Sequence, residues 1–324
     1  MIERTLVDDE ARPTPQEVLE AGLGEYFGRP VRIVGMAGKS LWGGGNDYPL
    51  QRLRVTLASG ETLSVIFKRL LPDPDPVGKS YLREVLVYRR LLAGGRFDAP
   101  ALYASVHDEA RERYWLFVED IGDRTLEDAD DVEDWLSAVR WLAALHRAYA
   151  GREEELRTLG CLGEHDPRFY HTLAAKARQN FVSAGAPEAL ARFEELMRDY
   201  GSMVNDLVGR PRSLVHGDFA SHNIALQPGG RIRPVDWEWA AIGLGAWDLV
   251  RLLYGWGSRK ATLLDAYVAE LGREGGLQVE REEIADTVRL CSFVYKIWIL
   301  SQQPEVCHDP VRRDELLNEM EATR

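Results

Sequence analysis

The string His216-Gly217-Asp218-Phe219-Ala220-Ser221-His222-Asn223, followed after a hairpin-like segment by Asp236-Trp237-Glu238, holds the side chains best suited to chemistry. Moving a phosphoryl group asks for little covalent work from a protein. It needs oxygen ligands for a divalent metal that bridges the phosphates, and an acid that orients the attacking hydroxyl and takes its proton. An Asp on a loop, an Asn five residues on and a second Asp beyond a short hairpin can supply those positions. On this reading Asp218 is the base, while Asn223 and Asp236 hold Mg2+. His216 suits bracing of the loop by hydrogen bonding better than acid catalysis, because Asp218 fills the proton-accepting role, and His222 reads as a loop residue without a catalytic part.

The elements that must position these residues fall into two textures. A capping residue, Thr14, then Pro15 at the first helical position and Glu17 predict a first helix. Three apolar, β-rich runs at 31–34, 53–57 and 63–67 read as an antiparallel meander, followed by a helix over 81–92 and strands at 101–106 and 114–118. Strands, a helix and more strands make an α+β lobe over residues 1–120. After Glu119-Asp120-Ile121-Gly122 the period becomes helical, over 132–149, 169–181, 188–207, 261–271 and 282–300. Residues 121–324 are therefore expected to form a mainly helical lobe, interrupted by one β-containing island at 213–240 that carries the chemical residues. A length of 324 residues with 45% apolar content is enough to give each lobe a core.

Charge and cysteine usage narrow the class. Forty Lys and Arg against 52 Asp and Glu leave −12, which disfavours a duplex DNA or an anionic membrane as partner. No run of 18 apolar residues occurs and the start lacks the plan of a secretory signal, so a soluble, cytoplasmic protein is expected. Cys161, Cys291 and Cys307 are odd in number and widely spaced, which argues against a disulfide framework or a zinc cluster. Up to residue 120 there are 16 basic and 18 acidic residues, and beyond it 24 and 34. That excess is either the ordinary solvated face of acidic helices or a cleft that attracts cationic substrates.

The loop HGDFASHN and the later VDWEWA resemble the aminoglycoside phosphotransferase and choline kinase family, small-molecule kinases related to the protein kinases, whose loop reads H-G-D-x-x-x-x-N. Leu142-Ala143-Ala144-Leu145-His146 and Ala246-Trp247-Asp248-Leu249 extend the likeness over most of the chain. The resemblance implies a protein-kinase-like α+β fold with a small β-rich lobe and a larger helical lobe. It also implies Mg2+ and ATP or GTP as co-substrate. Lys68, at the end of the third strand candidate, matches the lysine that contacts the nucleotide phosphates, and Glu84, sixteen residues on, matches the acid that holds it. The turn between the first two strands would cover the nucleotide, and Gly38, Ser40 and Gly43-Gly44-Gly45 are placed there. Backbone groups near Glu119 and Ile121 would meet the base, and Asp248 would brace the catalytic segment from behind. Gly35-Met36-Ala37-Gly38-Lys39-Ser40 is not a Walker A loop, because the position that needs its first glycine is Ile33.

The tryptophans Trp237, Trp239, Trp247, Trp256 and Trp298 admit two readings. They pack the helical core, or one or two stand beside Glu238 and offer a ring face to an ammonium group. The second would make the hydroxyl acceptor a cationic amino alcohol or amino sugar. The leading expectation is a kinase acting on a small-molecule hydroxyl, with an aminoglycoside or other antibiotic, an amino alcohol or a sugar intermediate as acceptor. An inactive nucleotide-binding regulator is disfavoured because Lys68, Asp218, Asn223 and Asp236 are all present. A protein kinase is disfavoured by the HGD loop and by the twelve-residue interval from Asp236 to Asp248, which leaves little room for an activation loop.

Overall fold

Thr14 accepts a hydrogen bond from the Glu17 amide while Glu17 reaches back to the Thr14 amide, and this capping box starts helix α1 (Pro15–Phe27), which ends at Gly28 with φ of 64°. The computed structural model describes residues 13–41, 49–70, 80–93, 96–254, 260–273 and 279–324. Two compact units emerge: Met1–Arg124 together with Arg233–Glu238, and Thr125–Ile232 together with Trp239–Arg324. The boundary thus lies a few residues beyond 120, and one hexapeptide from the later part of the chain belongs to the first unit. Arg233 and the Glu238 carbonyl, described below, hold that hexapeptide at both ends.

In the first unit, strands β1 (Ile33–Ser40), β2 (Leu50–Leu57), β3 (Thr62–Leu70), β4 (Leu102–Asp108) and β5 (Arg113–Glu119) form an antiparallel sheet in the order β1-β2-β3-β5-β4. The period-2 alternation of β2 and β3 buries Leu53, Val55, Leu57, Val65 and Phe67 on one face against Leu19 and Leu23 of α1. Phe67 pairs in register with Phe117, and their rings stack 4.4 Å apart. Helix α2 (Tyr81–Arg90) is capped by the Ser80 hydroxyl, which accepts from the Arg83 amide. The strand expected at 31–34 runs on to Ser40: Gly38 pairs with Leu53 and Ser40 with Gln51, so both lie in the β1 ladder and not in the turn after it. Backbone pairing with β2 outweighs the turn preference of the two glycines there. Gly43-Gly44-Gly45 lie outside the described residues.

The second unit is built from helices α3 (Val132–Tyr149), α4 (Glu153–Thr158), α5 (Pro167–Ser183), α6 (Pro187–Leu196), α7 (Tyr200–Gly209), α8 (Gly245–Leu253), α9 (Lys260–Leu271), α10 (Arg281–Gln302), α11 (Pro304–His308) and α12 (Pro310–Thr323). Short strands β6 (Gly163–Glu164), β7 (Ser213–Val215) and β10 (Ala241–Gly243) pair in the order β6-β10-β7, while β8 (Ile224–Gln227) and β9 (Arg231–Pro234) make a two-stranded ribbon. Helix α10 is buried almost all round from Leu290 to Ser301, the signature of a central helix. The single helix expected over 188–207 is two, α6 and α7. The break lets Tyr200 re-enter the core and donate its hydroxyl to the Tyr170 carbonyl at 3.1 Å, so tertiary packing overrides a continuous helical period. Cys291 and Cys307 are buried in this core, and burial pushes their thiols up to about 12 and about 11. Among the described residues no helix is long and apolar enough to cross a membrane.

Candidate active site

Lys68 sits on β3, in the middle of the sheet order, paired with Leu50 on one side and Leu116 on the other, so its backbone cannot drift. Its ammonium donates to Glu84 Oε1 at 2.7 Å and forms an ion pair with Asp236. Glu84, on α2, is fully buried; burial raises its carboxyl above the ordinary value while Lys68 pulls it back. Asp236 comes from the hexapeptide clamped into this unit. The Arg233 guanidinium grips the Glu119 carboxylate in a two-point contact at 2.9 and 2.6 Å and donates to the carbonyls of Asp98 and Ala99. At the other end the Glu238 carbonyl accepts from the Ser80 amide and from Arg83 Nη1, each at 3.0 Å. Between these clamps Asp236 takes φ of 63°, a left-handed conformation that costs a non-glycine residue of order 1–3 kcal/mol and is held by its surroundings.

The second unit assembles the loop. Asp248, on α8 and fully buried, accepts from the His216 amide at 2.7 Å and from the Gly217 amide at 2.8 Å, one on each carboxylate oxygen. Behind it His146 of α3 lies 3.3 Å from Asp248 and 2.7 Å from the Tyr267 hydroxyl. Trp247 Nε1 donates to the Gly217 carbonyl at 2.9 Å, and His216 Nδ1 accepts from the Asp218 amide at 3.4 Å. His216 and Asp248 thus brace the loop, and His146 is a satisfied interior histidine. Asp218 presents two occupied oxygens: Asn223 Nδ2 donates to Oδ2 at 3.0 Å and Arg251 Nε to Oδ1 at 2.5 Å.

Gly217 adopts φ of 86°, and a side chain there would overlap the Trp239 backbone. Gly217→Ala is therefore expected to cost roughly 2–4 kcal/mol, from left-handed strain plus overpacking, read as a lowered urea midpoint at unchanged m-value. A midpoint equal to that of the parent would contradict the packing described for this loop.

Of the residues singled out in the sequence, Lys68, Glu84 and Asp236 meet in the first unit, and Asp218 and Asn223 meet in the second. Glu119 closes β5, but its amide donates to the Ala101 carbonyl and its side chain holds Arg233; Ile121 follows in the segment that leaves the strand. The exposed Gly38 and Ser40 sit on β1. Trp237, Trp239, Trp247 and Trp298 are all buried, and Trp256 lies outside the described residues. Arg251, Arg233 and Arg83 escaped sequence reasoning. Each is one arginine among many, and only Arg251 carried a usable signal, three residues after Asp248 and thus on the same helical face.

With its amide nitrogen turned to Asp218, Asn223 leaves its carbonyl oxygen for a metal, and Asp236 offers a carboxylate on a strained, clamped turn. Among the described residues no group of three or more His, Cys, Asp or Glu side chains could hold a metal. Each of these oxygens, taken singly, is the kind of hard donor that Mg2+ accepts.

Comparison with known proteins assigns the class. Residues 50–283 match the family model described as Phosphotransferase enzyme family (APH). No curated protein matches the chain significantly. Many solved structures share the fold, among them the following three. The choline kinase LicA from Streptococcus pneumoniae is 14% identical, with 94% of this chain and 98% of that one covered and a TM-score of 0.58. A putative fructosamine-3-kinase from Thermobifida fusca is 21% identical, with 94% and 97% covered and a TM-score of 0.57. A spectinomycin phosphotransferase solved with ADP and spectinomycin is 14% identical, with 96% and 95% covered and a TM-score of 0.54. The fold is that of the protein-kinase-like phosphotransferases. The chain belongs to the phosphotransferase enzyme family, and it is an enzyme of the small-molecule kinase class.

Proposed function

We propose that the enzyme transfers the γ-phosphoryl group of ATP or GTP to a hydroxyl of a small molecule, with Asp218 as the base. The observation that carries this reading is the pairing of Lys68 with both Glu84 and Asp236, residues far apart in sequence that become one cluster. The ADP complex of the spectinomycin phosphotransferase supports a nucleotide co-substrate. Lys68, paired with two carboxylates, would bind phosphate oxygens, and Glu84 would fix its direction. Backbone groups at Gly38 and Ser40 would approach the phosphates, and those around Glu119 and Ile121 the base. Asp218 Oδ1 or Oδ2 would orient the acceptor hydroxyl and take its proton as the new oxygen–phosphorus bond forms. The bond from the γ-phosphorus to the β–γ bridging oxygen breaks, and the nucleoside diphosphate leaves with the electron pair. Asn223 and Asp236 would hold Mg2+, which when bound neutralises phosphate charge and aligns the transfer.

The candidate acceptors are aminoglycosides and other antibiotics, where the role would be resistance, together with amino alcohols and sugars. A cytoplasmic place of action fits an enzyme that consumes nucleoside triphosphate. The deciding experiment is a nucleotide-consumption screen over these acceptors with mass spectrometry to detect the gain of one phosphate; turnover on peptides and on no metabolite would reject the reading. Asp236→Ala is expected to weaken Mg2+-nucleotide binding and to lower turnover at least tenfold, read by titration of Mg2+ at fixed nucleotide. An unaltered Mg2+ dependence would remove Asp236 from the metal.

A further inference from the structure

The aromatic cluster that could have received a cationic acceptor already holds a cation, and that cation is bonded to Asp218. Arg251 projects from α8 with Nε 2.5 Å from Asp218 Oδ1 and Nη1 2.6 Å from the Tyr295 hydroxyl. Its guanidinium lies 5.6 Å from the centre of the Tyr295 ring and 5.9 Å from that of Trp298. Those two rings stack on one another at 5.4 Å; Trp239 meets Trp298 edge-on, and Tyr254 meets Tyr295 edge-on. Planar stacking and a forked set of donors are properties of arginine that a lysine or a small ammonium ion does not share.

Resting on the phosphotransferase reading above, we infer that the acceptor bound beside Asp218 is a neutral polyhydroxylated molecule of the sugar or cyclitol class, and that Arg251 sets this specificity. An ammonium alcohol would find the ring faces occupied and a like charge next to the base. An anionic acceptor would approach the Asp218 carboxylate in the part of the chain that carries 34 acidic against 24 basic residues. A neutral polyol meets neither obstacle. One hydroxyl faces the carboxylate, and its neighbour can accept from Arg251 Nη2, which makes no hydrogen bond among the described residues. The side chains of Arg251 and Asp218 remain 20% and 16% exposed, and Tyr254, at 45% exposure, offers an open ring to the apolar C–H face of such a molecule. Adjacent donor, acceptor and ring match the alternating chemistry of a sugar.

The test is acceptor selectivity of the full-length protein with Mg-ATP and Mg-GTP. The probes are ribose, glucose and myo-inositol as neutral polyols, choline, ethanolamine and kanamycin as cationic acceptors, and glycerate as an anionic one, with product mass measured. The parent is expected to have its highest kcat/KM on a neutral polyol. Arg251→Met should lower that value roughly 10- to 100-fold, the weight of a charged hydrogen bond, while raising turnover of cationic acceptors relative to it. Arg251→Lys should restore the charge but not the preference, since it lacks the planar fork. Preferred phosphorylation of a cationic or anionic acceptor by the parent, no turnover of any neutral polyol, or an unchanged selectivity ratio in Arg251→Lys overturns the inference. The first of these leaves the phosphotransferase reading intact. Absence of Mg-nucleotide binding together with silence toward every acceptor would defeat that reading itself.

Discussion

Asp218→Asn is expected to lower kcat by ~10² to 10⁴ while leaving Mg-nucleotide affinity nearly as in the parent, because a positioned acid–base group contributes about that much and the proposed function assigns nucleotide binding to other residues. An amide keeps the shape of the carboxylate and its contact with Asn223, but it cannot take a proton. It also takes from Arg251 the anionic partner that holds the mostly buried guanidinium cationic against the cost of burial. Thermal unfolding of the variant therefore belongs beside the kinetics, to separate lost base from lost fold. Turnover equal to that of the parent in a folded variant would take Asp218 out of the proton transfer.

Lys68→Met is expected to have the largest effect on stability. Glu84 is fully buried, and removing its cation leaves a carboxylate without compensation, a loss of about 3–5 kcal/mol for a broken buried pair, with nucleotide binding abolished as well. The pH dependence has a definite sign. Burial raises the folded-state value of Glu84 above its ordinary 4.5, and without Lys68 it rises further. Stability from such a raised carboxyl is fully present below the unfolded value and is lost as pH rises through the folded one. The deficit of Lys68→Met relative to the parent should accordingly be greatest at neutral pH and shrink as pH falls toward 5. Denaturant midpoints measured at intervals between pH 5 and 8 would test this, and a deficit that grew on acidification would contradict the buried pairing.

How much of this was legible in the sequence depends on the range of the interaction. Asp218, Asn223 and Asp236 could be named because a short loop and the segment after it carry oxygen-bearing side chains at a spacing suited to phosphoryl transfer, whereas Lys68 and Glu84 stood out only through the family resemblance. The helix start at Thr14 and the alternation in β2 and β3 are likewise local, since capping and period-2 burial are decided within a few residues. Gly38 and Ser40 were misplaced into a turn because glycine signals a turn only when no neighbouring strand claims its backbone, and β2 does. The break between α6 and α7 depends on where Tyr200 finds its partner thirty residues away.

By itself the sequence determined which acid, amide and basic side chains the loop offers and the order of strands before helices, because propensity, periodicity and side-chain ionisation act over one to seven residues. Only the tertiary structure decided that Arg233–Glu238 folds with the first unit, that Lys68 serves two carboxylates, and that Arg251 lies on Asp218 under aromatic rings. Those pairings join residues tens to more than a hundred and fifty positions apart. Coulomb attraction and ring stacking depend on distance in space, which chain folding sets and residue spacing does not encode.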